Sequence, residues 1–198
     1  KYNQALDSPA SDIRYAEPGP LTINGEDFEI LNLGGHTLGH LGLRTPDNVL
    51  FVGDSLIAPE ILRANPFLYL ADPGQQLDTL AKLKTDKASL LYLSHGGLSD
   101  QVSALVSINQ AMLFSLMDLI KQIIQFPRSR ETIIQEVITR QGLQVNRQHY
   151  FRLAASVSAL LAHLCNENQA DALMQENCLK YCAKGRLKGI SKFGETSA

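Results

Sequence analysis

Three polar residues carry the chemistry this sequence offers: His36, Asp54 and His95. Imidazole and carboxylate together suit zinc or another divalent first-row ion. A carboxylate can bridge two such ions. A neutral imidazole binds through one nitrogen while its other N–H is tied to a neighbour. Glycines flank all three (Gly34-Gly35-His36, Gly53-Asp54, His95-Gly96-Gly97), and tight glycine turns let short side chains point inward. Taken alone, a histidine near a strand end is more often a surface or hydrogen-bonding residue, and Gly-Asp-Ser is an ordinary turn.

Each of the three follows a strand-like segment. Leu21-Thr22-Ile23, the turn Asn24-Gly25 and Phe28–Leu33 read as a hairpin. Leu41-Gly42-Leu43-Arg44, Val49–Val52 and Ser89–Leu93 read as further short strands. In a layered α/β domain the loops at one edge of the sheet converge, which would bring the three residues together. Residues 75–87 have helical spacing, with Asp72 and Pro73 as a start signal. Residues 1–20 read as loop, with turn chemistry at Asp7-Ser8-Pro9 and Glu17-Pro18-Gly19-Pro20.

From about Ser99 the texture changes. Residues 101–125 form one apolar-periodic segment, stopped by Phe126-Pro127. Ser129 can cap a helix over 130–141, closed by Gly142, and Asn146 can cap another over 147–165. A hairpin follows, Ala172–Met174 and Cys178–Cys182 around Glu176-Asn177. Three helices and a two-stranded ribbon is the order of a winged-helix module; a plain helical bundle is the competing reading.

The 198 residues, 44% hydrophobic and 19% charged, make an ordinary globular composition. No uninterrupted apolar run approaches the ~20 residues that span a bilayer, so no membrane role is expected. Cys165, Cys178 and Cys182 are odd in number and lack paired spacing, which points to a reducing, cytoplasmic setting. Cys178 and Cys182 have no His or Cys pair beside them to complete a zinc knuckle. His149 and His163, 14 residues apart, have no partner at ligand spacing and read as structural or surface residues. The charge is uneven: residues 1–105 carry seven basic and thirteen acidic side chains, residues 106–198 eleven and seven. The basic tail (Lys180, Lys184, Arg186, Lys188, Lys192) could meet phosphates, and a solvated tail is the plainer reading.

Gly35-His36-Thr37-Leu38-Gly39-His40, Gly53-Asp54-Ser55-Leu56 and Leu93-Ser94-His95-Gly96, separated by 18 and then 41 residues, resemble the second half of the metallo-β-lactamase fold hydrolases. The spacing is similar to that of glyoxalase II-like members. The resemblance implies an α/β fold: the C-terminal half of an αββα sandwich over 1–100, followed by a small helical, winged-helix-like domain over 101–198. It implies that His36 and His95 each bind one of two divalent ions, zinc first, with iron or manganese also suited. Asp54 would bridge the two ions and serve catalysis, with His40 as an accessory catalytic position. The implied reaction is attack of an activated water on a thioester, lactone or related ester.

The pattern also departs from the family. The upstream His-x-His-x-Asp-His signature is absent, Gly34 stands where Pro is commoner, and Leu38 stands where another Pro is frequent. The chain opens at Lys1 without an initiator Met. The expectation is therefore a piece of a longer hydrolase that holds about half the ligands and is close to inactive alone. The helical part resembles the β-lactamase-like protein 2 branch, where Ser156–Leu164 matches a helix of the domain that helps cover the active site; some members of that branch cleave RNA. A small ester or thioester is the first expected partner. Nucleic acid on the basic C-terminal part is the alternative, although the chain has no Trp for base stacking and no aromatic-glycine strand motif. A remnant that only forms a homodimer is third.

Overall fold

The computed structural model describes residues 16–65 and 67–186. The expected turn at Asp7-Ser8-Pro9 and the tail residues Lys188 and Lys192 lie outside them. The chain starts with a meander: β1 (Gly19–Ile23), β2 (Glu26–Asn32), β3 (Leu41–Arg44) and β4 (Val49–Gly53). Asn24 and Gly25 both have positive φ, the conformation that a two-residue hairpin turn requires and that Asn-Gly adopts at least cost. Two helices, α1 (Pro59–Ala64) and α2 (Pro73–Thr85), then carry the chain across to β5 (Leu90–Leu93), which pairs parallel with β4. β6 (Gly97–Ser99) returns antiparallel and completes a six-stranded sheet in sequential order.

Alternation decides which face of that sheet is covered. Leu50, Val52, Leu91 and Leu93 point to one side and are 0–2% exposed. They share one apolar cluster with Leu80 and Leu83 of α2 and with Leu105 and Val106 of α3 (Val102–Ile123). The intervening residues point the other way. Ile30 pairs with Leu43, Leu43 with Phe51, Phe51 with Tyr92 and Tyr92 with Leu98, one row across five strands. Phe51, Tyr92 and Leu98 in that row are exposed.

The helical part follows the caps read from the sequence. Ser129 accepts from the Thr132 amide and opens α4 (Arg130–Gln141), which Gly142 closes in the left-handed conformation. Asn146 accepts from the His149 amide and opens α5 (Arg147–Asn166). Glu176 and Asn177, both at positive φ, join β8 (Ala170–Gln175) to β9 (Cys178–Ala183). A two-residue strand, β7 (Arg128–Ser129), pairs with β9 and gives a small sheet of order β7-β9-β8. The buried cluster runs without a break from Leu33 to Ala170, so both parts share a core.

Several elements differ from the sequence reading. The helix expected over 75–87 starts at the signal read from the sequence, Pro73 with Asp72 capping the Gln75 amide, and ends two residues earlier, at Thr85. Neither α1 nor β6 nor β7 was expected; each is too short to show a period and exists through its packing or pairing. Helix α3, with 22 residues, is by length and composition apolar enough to cross a membrane, contrary to the expectation that no segment would be. Its apolar stretch is interrupted by Ser103, Ser107, Asn109, Gln110 and Asp118, and Leu105, Val106, Leu113, Leu116, Met117, Ile120 and Ile123 are buried in the core.

Candidate metal centre

Asp54 follows directly on β4, His95 comes two residues after β5, and His36 sits in the loop after β2. The strand ends bring them together. Asp54 lies between the two imidazoles: His36 Nε2 is 3.5 Å from Oδ2 and His95 Nε2 is 3.8 Å from Oδ1. Each carboxylate oxygen thus faces its own ring. Asp54 Oδ1 is closed off from solvent yet has no hydrogen-bond partner among the described residues. A buried carboxylate oxygen without a partner is costly and marks a place for a cation or a donor.

The tautomer of His36 sharpens this. Its Nδ1 is 3.0 Å from the carbonyl oxygen of Tyr69, which can only accept, so Nδ1 carries the hydrogen. Burial is the largest influence on the ring and pushes its pKa below the ordinary histidine value, against the opposing pull of Asp54. A neutral ring with Nδ1–H turns the lone pair of Nε2 towards an anionic oxygen. Two acceptors facing each other at 3.5 Å need positive charge between or beside them. His36 and Asp54 are about a quarter exposed in their side chains, whereas His95 is 63% exposed, so the cluster opens to solvent on the His95 side.

His40 has a different place. Its Nε2–H donates to the Val52 carbonyl at 3.1 Å, and its ring packs edge-on to His36 at a centroid distance of 6.0 Å. Gly53 has φ +57, and a Cβ there would run into the His40 ring. Gly53 therefore serves the turn that presents Asp54 and also makes room for His40. Gly35, at φ +133, lies against Gln76 of α2, where no side chain would fit.

The loops are held from the helical side by residues that, Ser156 in its matched helix apart, the sequence did not single out. Asn109 of α3 accepts from the Ile57 amide and donates to the Ile57 carbonyl, locking the segment after Asp54. Ser156 of α5 accepts from the Leu70 amide at 2.9 Å, next to the Tyr69 carbonyl that orients His36. Thr79 and Gln76 of α2 donate to the carbonyls of Gly34 and Ser55. These contacts join residues 21 to 86 positions apart and leave no local signal; only the burial of a polar residue on an apolar helix face hints at them.

Among the described residues no three His, Cys, Asp or Glu side chains form a complete ligand group for one ion. The geometry is instead two half-sites that share one carboxylate. His149 and His163 lie on α5, outside this cluster; the His163 ring comes close to Gly74 at the start of α2.

No family model matches the chain. Two hydroxyacylglutathione hydrolases, from Pseudomonas savastanoi pv. phaseolicola (strain 1448A / Race 6) and Pseudomonas syringae pv. syringae (strain B728a), are each 34% identical to it over 91 residues, 44% of this chain. The match spans about a third (34%) of the length of these relatives. A metallo-beta-lactamase family protein from Thermus thermophilus superposes with a TM-score of 0.67 at 19% identity, over 89% of this chain and 56% of its own. A beta-lactamase domain protein from Burkholderia ambifaria gives 0.70 at 17%, over 88% and 53%. Both superpositions take in most of this chain, sheet and helical part together. The chain has the metallo-β-lactamase fold of these solved structures.

Proposed function

We propose that this chain is part of a metal-dependent hydrolase acting on an ester or thioester. The observation that carries the reading is the shared carboxylate: Asp54 with one imidazole at each oxygen and Oδ1 buried without a partner. Two divalent ions fit this donor set, zinc first among ions suited to imidazole and carboxylate together, with iron and manganese as further candidates. His36 would hold one ion, His95 the other, and Asp54 both. Bound there, such ions supply Lewis acidity and a water activated at neutral pH.

The chain's own residues do the rest. Tyr69 fixes the His36 ring through Nδ1–H, and burial keeps that ring neutral with its Nε2 lone pair free. The Asn109 and Ser156 hydrogen bonds hold the segments on either side of the centre at one spacing. The exposed His95 side is the route for substrate. His40, tied to the Val52 carbonyl, supports the turn that carries Asp54 and can act as the accessory residue through its Nδ1 face.

Two half-sites require further donors. The solved relatives are almost twice as long as the part this chain covers, and the apolar row Ile30–Leu43–Phe51–Tyr92–Leu98 is the face a second sheet would cover. We assign the remaining ligands to that second sheet, in an αββα sandwich whose first unit here runs to about residue 100. Residues 101–198 are the second unit. Its order of helix, short strand, two helices and hairpin, with strands ordered β7-β9-β8, supports a winged-helix reading. Free cysteines fit a cytoplasmic setting.

Manganese titration of the chain followed by NMR of the histidine rings tests the centre. The expected result is early paramagnetic broadening of His36 and His95, before His149 and His163, and its loss in Asp54→Ala. Equal broadening of all histidines would sink the reading.

Nucleic acid is the second reading, favoured by one observation. Arg147, His149, Phe151 and Arg152 are exposed together at the start of α5, and neither arginine has an acidic partner among the described residues. Binding to single-stranded RNA with a steep salt dependence, lost in a double Arg147→Ala, Arg152→Ala variant, would favour it over the small ester.

A further inference from the structure

The wall beside the candidate centre says what kind of ester the site takes. A narrow cleft is lined by His36 and Asp54 together with residues of α3. Beyond the mouth its sides are Ile57, Leu62, Leu70, Met112, Leu113 and Leu116.

Apart from the Tyr69 phenol, most polar side-chain groups in the wall away from His36 and Asp54 are already used. Asn109 spends its amide on Ile57 and Leu105, and the Ser55 hydroxyl donates to the Leu33 carbonyl. Gln76 is the exception: its Nε2 donates to the Ser55 carbonyl, but its Oε1 is buried without a partner. Gln76 also packs against Gly35, beside His36, so this free acceptor lies at the same end as the centre. The cleft therefore has a polar end at His36, Asp54 and Gln76, and a remaining wall made mostly of methyl and methylene groups, with Tyr69 and the hydrogen-bonded Asn109 among them.

An amphipathic ligand with its polar carbon at the mouth and an unbranched tail inside matches that distribution. Met112, half-buried and unbranched, can adapt to tails of different length. We propose that the substrate is an ester or thioester of a straight-chain aliphatic acid, and that this cleft takes its acyl chain. The proposal rests on the hydrolase reading for the position of the reacting carbonyl, while the apolar depth is independent of any metal.

The chain contains three methionines, and their placement makes a built-in assay. Met112 lines the cleft, Met117 is buried in the core, and Met174 is 67% exposed on β8. With methyl-¹³C-methionine, the metal-free chain is titrated with S-acyl-N-acetylcysteamines of four, six and eight acyl carbons. The Met112 methyl is expected to shift saturably while Met174 stays in place. Affinity should rise about threefold to fourfold per methylene, the factor that about 0.8 kcal/mol per buried CH₂ corresponds to. Leu68, half-buried in the same wall, allows a partial block: Leu68→Phe keeps the Met117 and Met174 signals as a check on folding and should flatten the chain-length series. Affinity independent of acyl length, or Met174 shifting along with Met112, overturns the proposal. Failure of the hydrolase reading shows separately, as absence of selective manganese broadening at His36 and His95, with the acyl series still intact.

Discussion

The two faces of the six-stranded sheet are built from alternate residues of the same strands and have opposite fates. On β5, Leu91 is fully buried under α2 and α3, and its neighbour Tyr92 is 43% exposed. On β4, Val52 and Phe51 repeat the contrast. Both faces are apolar, so composition does not separate them; the difference lies in what packs on top. Helices α2 and α3 cover one face, and together with α5, which packs on them, they grip the loops of the candidate centre. The other face ends at the same loops and has no comparable cover among the described residues. The candidate centre therefore sits on a seam and, among the described residues, is supported from one side.

The sharpest way to break this contrast is to cut the same strand on each side. Leu91→Ala removes a fully buried side chain among Leu50, Leu93 and the helices, and should cost about 3 kcal/mol in urea unfolding, from lost burial plus the cavity left behind. A loss below about 1 kcal/mol would mean that the helical layer is loosely packed and that the two faces are less different than they look.

That contrast was only half legible in the sequence. The alternation in Val49–Val52 and Leu90–Leu93 marks the strands, and caps such as Ser129, Gly142 and Asn146 mark helix ends to the residue, because both signals act over two to four positions. The motif loops carrying His36, Asp54 and His95 were legible for the same reason, and their meeting follows once the strand order is known. Which face the helices would choose was not legible, since Phe51 is as apolar as Leu50, and Tyr92, with a large ring and one hydroxyl, suits a buried or an exposed place. Nor were the clamps: Asn109 and Ser156 meet partners 52 and 86 residues away. β6 is a strand only because Leu91, Tyr92 and Leu93 pair with it.

A middle-sized effect tests whether the covered side sets the centre as well as the core. Ser156→Ala leaves the buried Leu70 amide without an acceptor, at a cost of about 1–3 kcal/mol. If the support from α5 holds the Tyr69 carbonyl in place, the His36 ring nitrogens should also change their ¹⁵N shifts, because the Nδ1–H hydrogen bond lengthens. Ser156→Thr, which keeps the hydroxyl, should restore the shifts more fully than the stability. Destabilisation with unchanged His36 shifts would confine Ser156 to a packing role.

The smallest effect is expected on the open face, and it is the most discriminating. Leu98 is 61% exposed, at the edge-strand end of the row, and faces Tyr92 across the ladder. Leu98→Thr keeps a residue that suits a strand and removes little that is buried, so it should change stability by no more than about 0.5 kcal/mol. Unfolding is measured at two protein concentrations tenfold apart. A small, concentration-independent change leaves the row as a face without a partner in this chain. A loss above about 1.5 kcal/mol that grows with concentration would show a second copy covering the row, because mass action ties stability to protomer concentration only when the folded form associates. The apolar row would then be satisfied by self-association, and the remaining ligands would have to be sought in the other copy and not in a second sheet.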